Sequence, residues 1–171
     1  MSEPEVQLEK ANRLSAITQQ VGFALWQLQE LEGVCATYYV LVEEAKLGMG
    51  EVAGNAIEEK AKKKTFGRTI HKLVKAGLLD TEIEARFKNL LSERNWLVHS
   101  SRASSRSAIH TDAHMTDLLN RLNKISEESL ALLKNVGKRT EDYVKKYGVS
   151  EEYIERKSKE ILEQWHSTDE I

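Results

Sequence analysis

The chain has a single proline, Pro4, and nothing after it that forbids a helix. Proline in a helix interior costs about 3 kcal/mol, because it removes a backbone donor and its ring clashes with the preceding turn. Runs of alternating β-branched residues, the mark of strands, are almost absent, whereas Ala, Leu, Glu, Lys and Arg abound. The expected fold class is all-α. A length of 171 residues suffices for one core and is too short for two full domains. One domain is therefore expected over 1–171, with its core over roughly 10–135 and a helical extension over 136–167.

Hydrophobic residues make up 40% and charged residues 30% of the chain, a balance that excludes a disordered polypeptide. No apolar run is long enough to span a bilayer, so no membrane partner is expected. The opening MSEPEVQLEK lacks the basic head and apolar stretch of a secretory signal, and a lone cysteine, Cys35, cannot form an internal disulfide. A cytoplasmic setting is the expectation. A net charge of -2 and a pI near 6.2 give no overall field toward nucleic acid, so any such contact must be local.

Apolar positions from Leu14 through Ile17, Val21, Leu25, Leu28, Cys35, Tyr39 and Val42 recur at three and four, which predicts a long first helix ending at Gly48. The glycines at 48, 50 and 54 and a basic run, Lys60 and Lys62 to Lys64, follow. Thr65 is placed to cap a short helix bearing Ile70, Leu73 and Val74. Thr81 and Glu84 have capping-box spacing for a helix with the face Ile83, Phe87, Leu90, Leu91, Leu97 and Val98. SSRASSRS, 100–107, reads as a loop. A long helix from Met115 toward Tyr143 follows, then one capped by Ser150 that carries Tyr153, Ile154, Ile161, Leu162 and Trp165. Such helices suggest an up-down bundle.

Two charges fall on apolar faces. Glu32 interrupts the stripe between Leu28 and Cys35, and Arg94 lies at the centre of its own helix face. An unpaired charge there would cost several kcal/mol in effective terms, on the order of a failed burial, so each is expected to have a partner. The simplest arrangement pairs them, with Glu32 orienting the guanidinium. A purely structural ion pair is the alternative.

Arg94 and His99 stand in an Arg-x4-His spacing that alone carries almost no information. Its context carries more: Asn95 and His99 are four apart on one flank, and the polar segment with Arg102 and Arg106 follows directly. The window ERNWLVH, 93–99, resembles that of the HEPN superfamily, helical bundles whose ribonuclease members carry Arg-x4-6-His, often with a polar residue directly after the arginine. Asn95 fills that place. VGFALWQLQELE at 21–32 and KTFGRTIHKL at 64–73 resemble further landmarks of one HEPN subgroup, and the likeness covers roughly residues 10 to 135. It departs from toxins paired with nucleotidyltransferase antitoxins, which often have a tyrosine where this chain has Ser101.

The resemblance implies a HEPN-like up-down bundle with long first and fifth helices, and metal-independent cleavage of RNA without a cofactor. The site would be composite across a homodimer, with Arg94, Asn95 and His99 catalytic and Glu32 in support. An imidazole changes charge between about pH 5 and 8 and suits proton transfer from a ribose 2'-hydroxyl or to the leaving 5'-oxygen, giving a 2',3'-cyclic phosphate. The arginine fork would stabilise the phosphorane. Lys62, Lys63, Lys64, Arg68, Arg102 and Arg106 would contact phosphates without reading bases. The family setting is RNA restriction by a toxin or an anti-phage defence component, with room for a regulatory protein partner. The rival is a non-catalytic dimerisation, sensing or partner-binding module.

The remaining groups are expected to be structural. His110, Asp112 and His114 sit at a loop-to-helix junction, where capping is favoured over metal binding. Cys35 should be a packed thiol, and Phe23, Trp26 and Tyr38 core side chains. Trp96 suits either a dimer contact or a neighbour within its own bundle. No phosphate loop, nucleophile elbow or paired-cysteine motif is present.

Overall fold

The computed structural model describes residues 2–46 and 48–166, with 165 and 166 as backbone alone. Among these residues there is no strand, which fits the all-α expectation. The helices are α1 (Glu3–Tyr39), continued by a π-helical turn at Val40–Glu44, then α2 (Glu51–Lys62), α3 (Phe66–Lys75) and α4 (Thr81–His99). A single turn α5 (Ser101–Ser104) and a 3-10 turn (Arg106–Ile109) lead to α6 (Asp112–Lys146) and α7 (Glu151–His166).

α1 starts well before Leu14. The Ser2 N–H donates to the Glu5 carboxylate at 2.6 Å, and Pro4 sits in the first turn, where a missing N–H breaks no bond. The helix also ends before Gly48: the Ala45 N–H reaches the Val40 carbonyl at 2.7 Å, and Gly48 and Gly50, both at φ 80°, turn the chain. α2 was not foreseen, because its glycine and lysines look like a connection. Its Ala61 and Ile57 pack on Ala36 and Val40.

The start of α4 corrects the expected capping box. Asp80, not Thr81, is the N-cap: its backbone is extended and its Oδ1 accepts from the Ile83 N–H at 3.0 Å. Asp80 also pairs with Arg139 of α6, a contact no local spacing discloses. The expected loop at 100–107 is wound instead into α5 and the 3-10 turn. Serine hydroxyls hold it there, Ser101 Oγ donating to the Leu97 carbonyl at 2.6 Å and Ser104 Oγ to that of Ser100 at 2.9 Å. Thr111 and Ser150 do cap, accepting from the N–H groups of His114 and Tyr153.

Side-chain contacts set the topology. Arg13 meets Asp112 and Gln20 meets Asn123, so α1 and α6 run parallel. Arg86 meets Glu128 and Glu93 meets Arg121, so α4 runs antiparallel to α6 and returns the chain between them. The core between these helices and α3 is formed by Leu28, Leu31, Phe66, Phe87, Leu122 and Leu132 with their neighbours. Phe66 and Phe87 meet edge to face at 6.1 Å.

Several apolar side chains point elsewhere than expected. Trp26 is 73% exposed and Phe23 51%, so neither is core, whereas Tyr38 is buried. Leu14 and Val98 are also largely exposed, as are Tyr153, Ile161 and Leu162 of α7. Trp165, expected on that last face, has its side chain outside the described residues. No helix among the described residues is long and apolar enough to cross a membrane.

The Asp80 cap makes stability depend on acid. The Ile83 N–H and then Arg139 hold its carboxyl below the usual aspartate value. A depressed folded value means the stabilisation is complete above the ordinary aspartate range and is lost as pH falls through the folded value. Thermal melts should therefore show Asp80→Ala below wild type at neutral pH, with the gap narrowing as pH drops below about 4. A gap independent of pH would show that the carboxylate charge plays no part.

Candidate functional site

α4 delivers the candidate residues. Its buried side, Ile83, Phe87, Leu90 and Leu97, fixes its rotation, which leaves Arg94 half-buried and turns Asn95 and His99 to solvent. The Arg94 Nε donates to Glu32 Oε1 of α1 at 3.2 Å, the contact that the two misplaced charges suggested. Both side chains keep about a quarter of their surface, 29% for Arg94 and 26% for Glu32. Arg94 is held through one nitrogen. Arg86 and Arg121, in contrast, are each gripped through two nitrogens by Glu128 and Glu93. The Arg94 fork is thus anchored yet keeps its terminal amino groups for a further acceptor.

A second network fixes the end of α4. The Arg121 guanidinium lies 3.5 Å from the Trp96 ring centroid, and Glu93 holds Arg121 at 2.7 and 3.1 Å. The Trp96 Nε1–H donates to Ser104 Oγ at 3.0 Å, tying α4 to α5 across His99. Trp96 is therefore a neighbour within its own bundle. Local spacing could not disclose this clamp, since Arg121 and Glu93 lie 28 residues apart.

The expected phosphate-binding residues divide between two concavities. Glu32, Lys62 and Lys64 share a hollow of about 270 Å³ with Gln29 and Thr69, formed by α1, α2 and α3. Arg102 and Arg106 line a separate cleft of about 630 Å³ against the first half of α1. Lys63 and Arg68 are exposed and line neither, and Asn95 and His99 stand on the open surface of α4. Arg94 beside Glu32, and Ser101 beside Val21 and Gly22, bracket His99 along the chain between the two concavities. Gln29 and Thr69 were missed because nothing local marks a polar residue that faces a hollow.

The lysines differ in their surroundings. Lys62 pairs with Glu58 at 2.7 Å. Lys64 is held below the ordinary lysine value, chiefly by the adjoining Lys72, which itself reaches Glu44 at 3.3 Å. The hollow beside Glu32 thus has two lysines on its wall, of which Lys62 is already paired with Glu58. Cys35 is fully buried, and burial followed by the charge of Glu32 pushes its thiol far up, which removes it as a nucleophile.

Among the described residues, no three His, Cys, Asp or Glu side chains come together as a ligand set. His114 Nδ1 lies 2.7 Å from the Thr111 hydroxyl, in keeping with a cap at that junction. Comparison with protein-family models, with curated proteins and with solved structures gives no match for this chain.

The Glu32–Arg94 contact should be measurable as a coupling. In a double-mutant cycle of Glu32→Gln and Arg94→Gln followed by urea unfolding, we expect an interaction of about 1 kcal/mol, reduced from a buried pair by the residual exposure. A coupling indistinguishable from zero would mean that Glu32 does not hold the guanidinium in solution.

Proposed function

We propose that this chain is a metal-independent endoribonuclease of the HEPN type, acting as a homodimer and leaving 2',3'-cyclic phosphate ends. The observation that carries the proposal is a guanidinium anchored by Glu32 on the same helix as an exposed imidazole with no protein partner among the described residues. Arg94 would meet the charge that develops on the phosphorane, since its position is set before substrate arrives. Asn95 would hold a phosphate oxygen or the imidazole. His99 would take the 2'-hydroxyl proton or deliver one to the 5'-oxygen.

Helical geometry favours two protomers. Five positions at about 100° each put Arg94 and His99 about 140° apart around α4, while Asn95 and His99 differ by only about 40°. One chain's histidine is thus poorly aimed at its own arginine, and a second copy would bring Arg94 and His99 into one site. It would also supply a second imidazole, so that one acts as base and the other as acid. Lys62, Lys63, Lys64, Arg68, Arg102 and Arg106 would give salt-sensitive phosphate contacts on either side. The setting that goes with this activity is a toxin or anti-phage defence component in the cytoplasm, open to control by a regulatory protein.

One observation favours a second reading. Phe23 and Trp26, three positions apart on α1, are both exposed, the kind of anchor that a non-catalytic dimerisation or partner-binding module would use.

Incubation of wild type, Arg94→Ala and His99→Ala with total RNA and with tRNA in EDTA separates the two. The expected result is cleavage that survives chelation, yields cyclic phosphate ends and falls at least about 100-fold in each variant. Folded wild type that leaves every substrate intact would transfer the assignment to the binding module.

A further inference from the structure

The larger cleft has a composition that RNA contact does not explain. Its walls are apolar: Leu14, Ile17 and Val21 from α1 face Ile109 and Leu118 across about 630 Å³. That volume lies within the range of about 300–1,000 Å³ of small-molecule sites. No acidic side chain lines it, yet two cations do, the exposed Arg102 and Arg106. Among the described residues Arg13, Arg86, Arg94, Arg121, Arg139 and Arg156 each face a carboxylate, whereas Arg68, which lies outside the cleft, does not. Arg102 and Arg106 have no such partner among the described residues.

We propose that this cleft binds a medium-chain fatty acid, its alkyl chain along the α1 wall and its carboxylate on Arg102 and Arg106. An alkyl chain removes apolar wall from water, at about 25 cal/mol per Å², without demanding a hydrogen bond. A carboxylate matches the planar fork of a guanidinium, and each arginine lacks the acid that would otherwise compete. Gly22 lines the cleft in mid-helix, and a Cβ added there meets nothing within 4 Å, so a methyl fits while a large side chain would project into the space. The proposal shares Arg102 and Arg106 with the phosphate contacts proposed above, but binding is read without RNA, so the two readings fail independently.

Isothermal titration of the full chain tests it, with octanoate as the probe, 1-octanol as the uncharged analogue and acetate as the chainless one. Octanoate should bind saturably at one site, with octanol and acetate at least tenfold weaker. Arg102→Ala combined with Arg106→Ala should weaken octanoate at least tenfold and leave octanol unchanged; both side chains are exposed, so the fold is preserved. Gly22→Phe should abolish binding while Gly22→Ala retains it. Octanoate binding that survives Gly22→Phe, or that ignores the arginine pair, overturns the proposal. Wild type that binds no octanoate, with Gly22→Phe altering the oligomeric state, assigns the cleft to a second copy of the chain and overturns it equally.

Discussion

The parallel packing of α1 on α6 is the constraint from which the other positions follow. Ser126 and Ser129 are buried at the centre of α6, and each returns its hydroxyl to its own helix, at the Leu122 and Ile125 carbonyls. They bury polar atoms without needing a partner on another helix. Two parallel helices consecutive in a bundle require an antiparallel return between them, and α4 is that return. Its rotation is decided by the same core. Ile83, Phe87, Leu90 and Leu97 can face inward only if Arg94 falls at the margin, beside Glu32.

The candidate site therefore inherits its geometry from packing rather than from a dedicated loop. Glu32 reaches Arg94 from a helix whose buried stripe is one step away, and Arg121 reaches Trp96 from α6. Each helix that flanks α4 thus places a charged group next to Asn95, Glu32 on Arg94 and Arg121 on Trp96. Such a frame suits chemistry that depends on a fixed cation, since reorientation at the moment of reaction would cost the stabilisation it supplies.

Much of this was legible in the sequence, for identifiable reasons. Charges read inside two apolar stripes are expected to pair, and Glu32 and Arg94 do pair, though at the margin of the core with about a quarter of each side chain exposed. Strong periodicity likewise located α3, α4 and α6. The failures have physical causes too. α1 carries apolar residues on more than one side, so periodicity placed Leu28 in the core but did not disclose that Leu31 is buried and that Trp26 and Phe23 are not. Asp80 and Thr81 are both competent caps, and Asp80, which caps, is also the one that meets Arg139, 59 residues away. Serines at 100–107 suggested a loop because hydroxyls compete for backbone groups, yet here that same competition, directed at carbonyls one turn back, winds the segment into helix.

The separation between the two long helices has a consequence for how the protein is made. Residues that meet across α1 and α6 lie 99 and 103 positions apart, Arg13 with Asp112 and Gln20 with Asn123. Synthesis proceeds from the N-terminus, so α1 leaves the ribosome long before its partner exists. In that interval its apolar stripe has only α2 and α3, then α4, to lie against. Contacts this distant in sequence are also the slow ones in folding. The central interface thus closes late, and a nascent chain halted before α6 would leave uncovered the part of the α1 stripe that α6 otherwise buries.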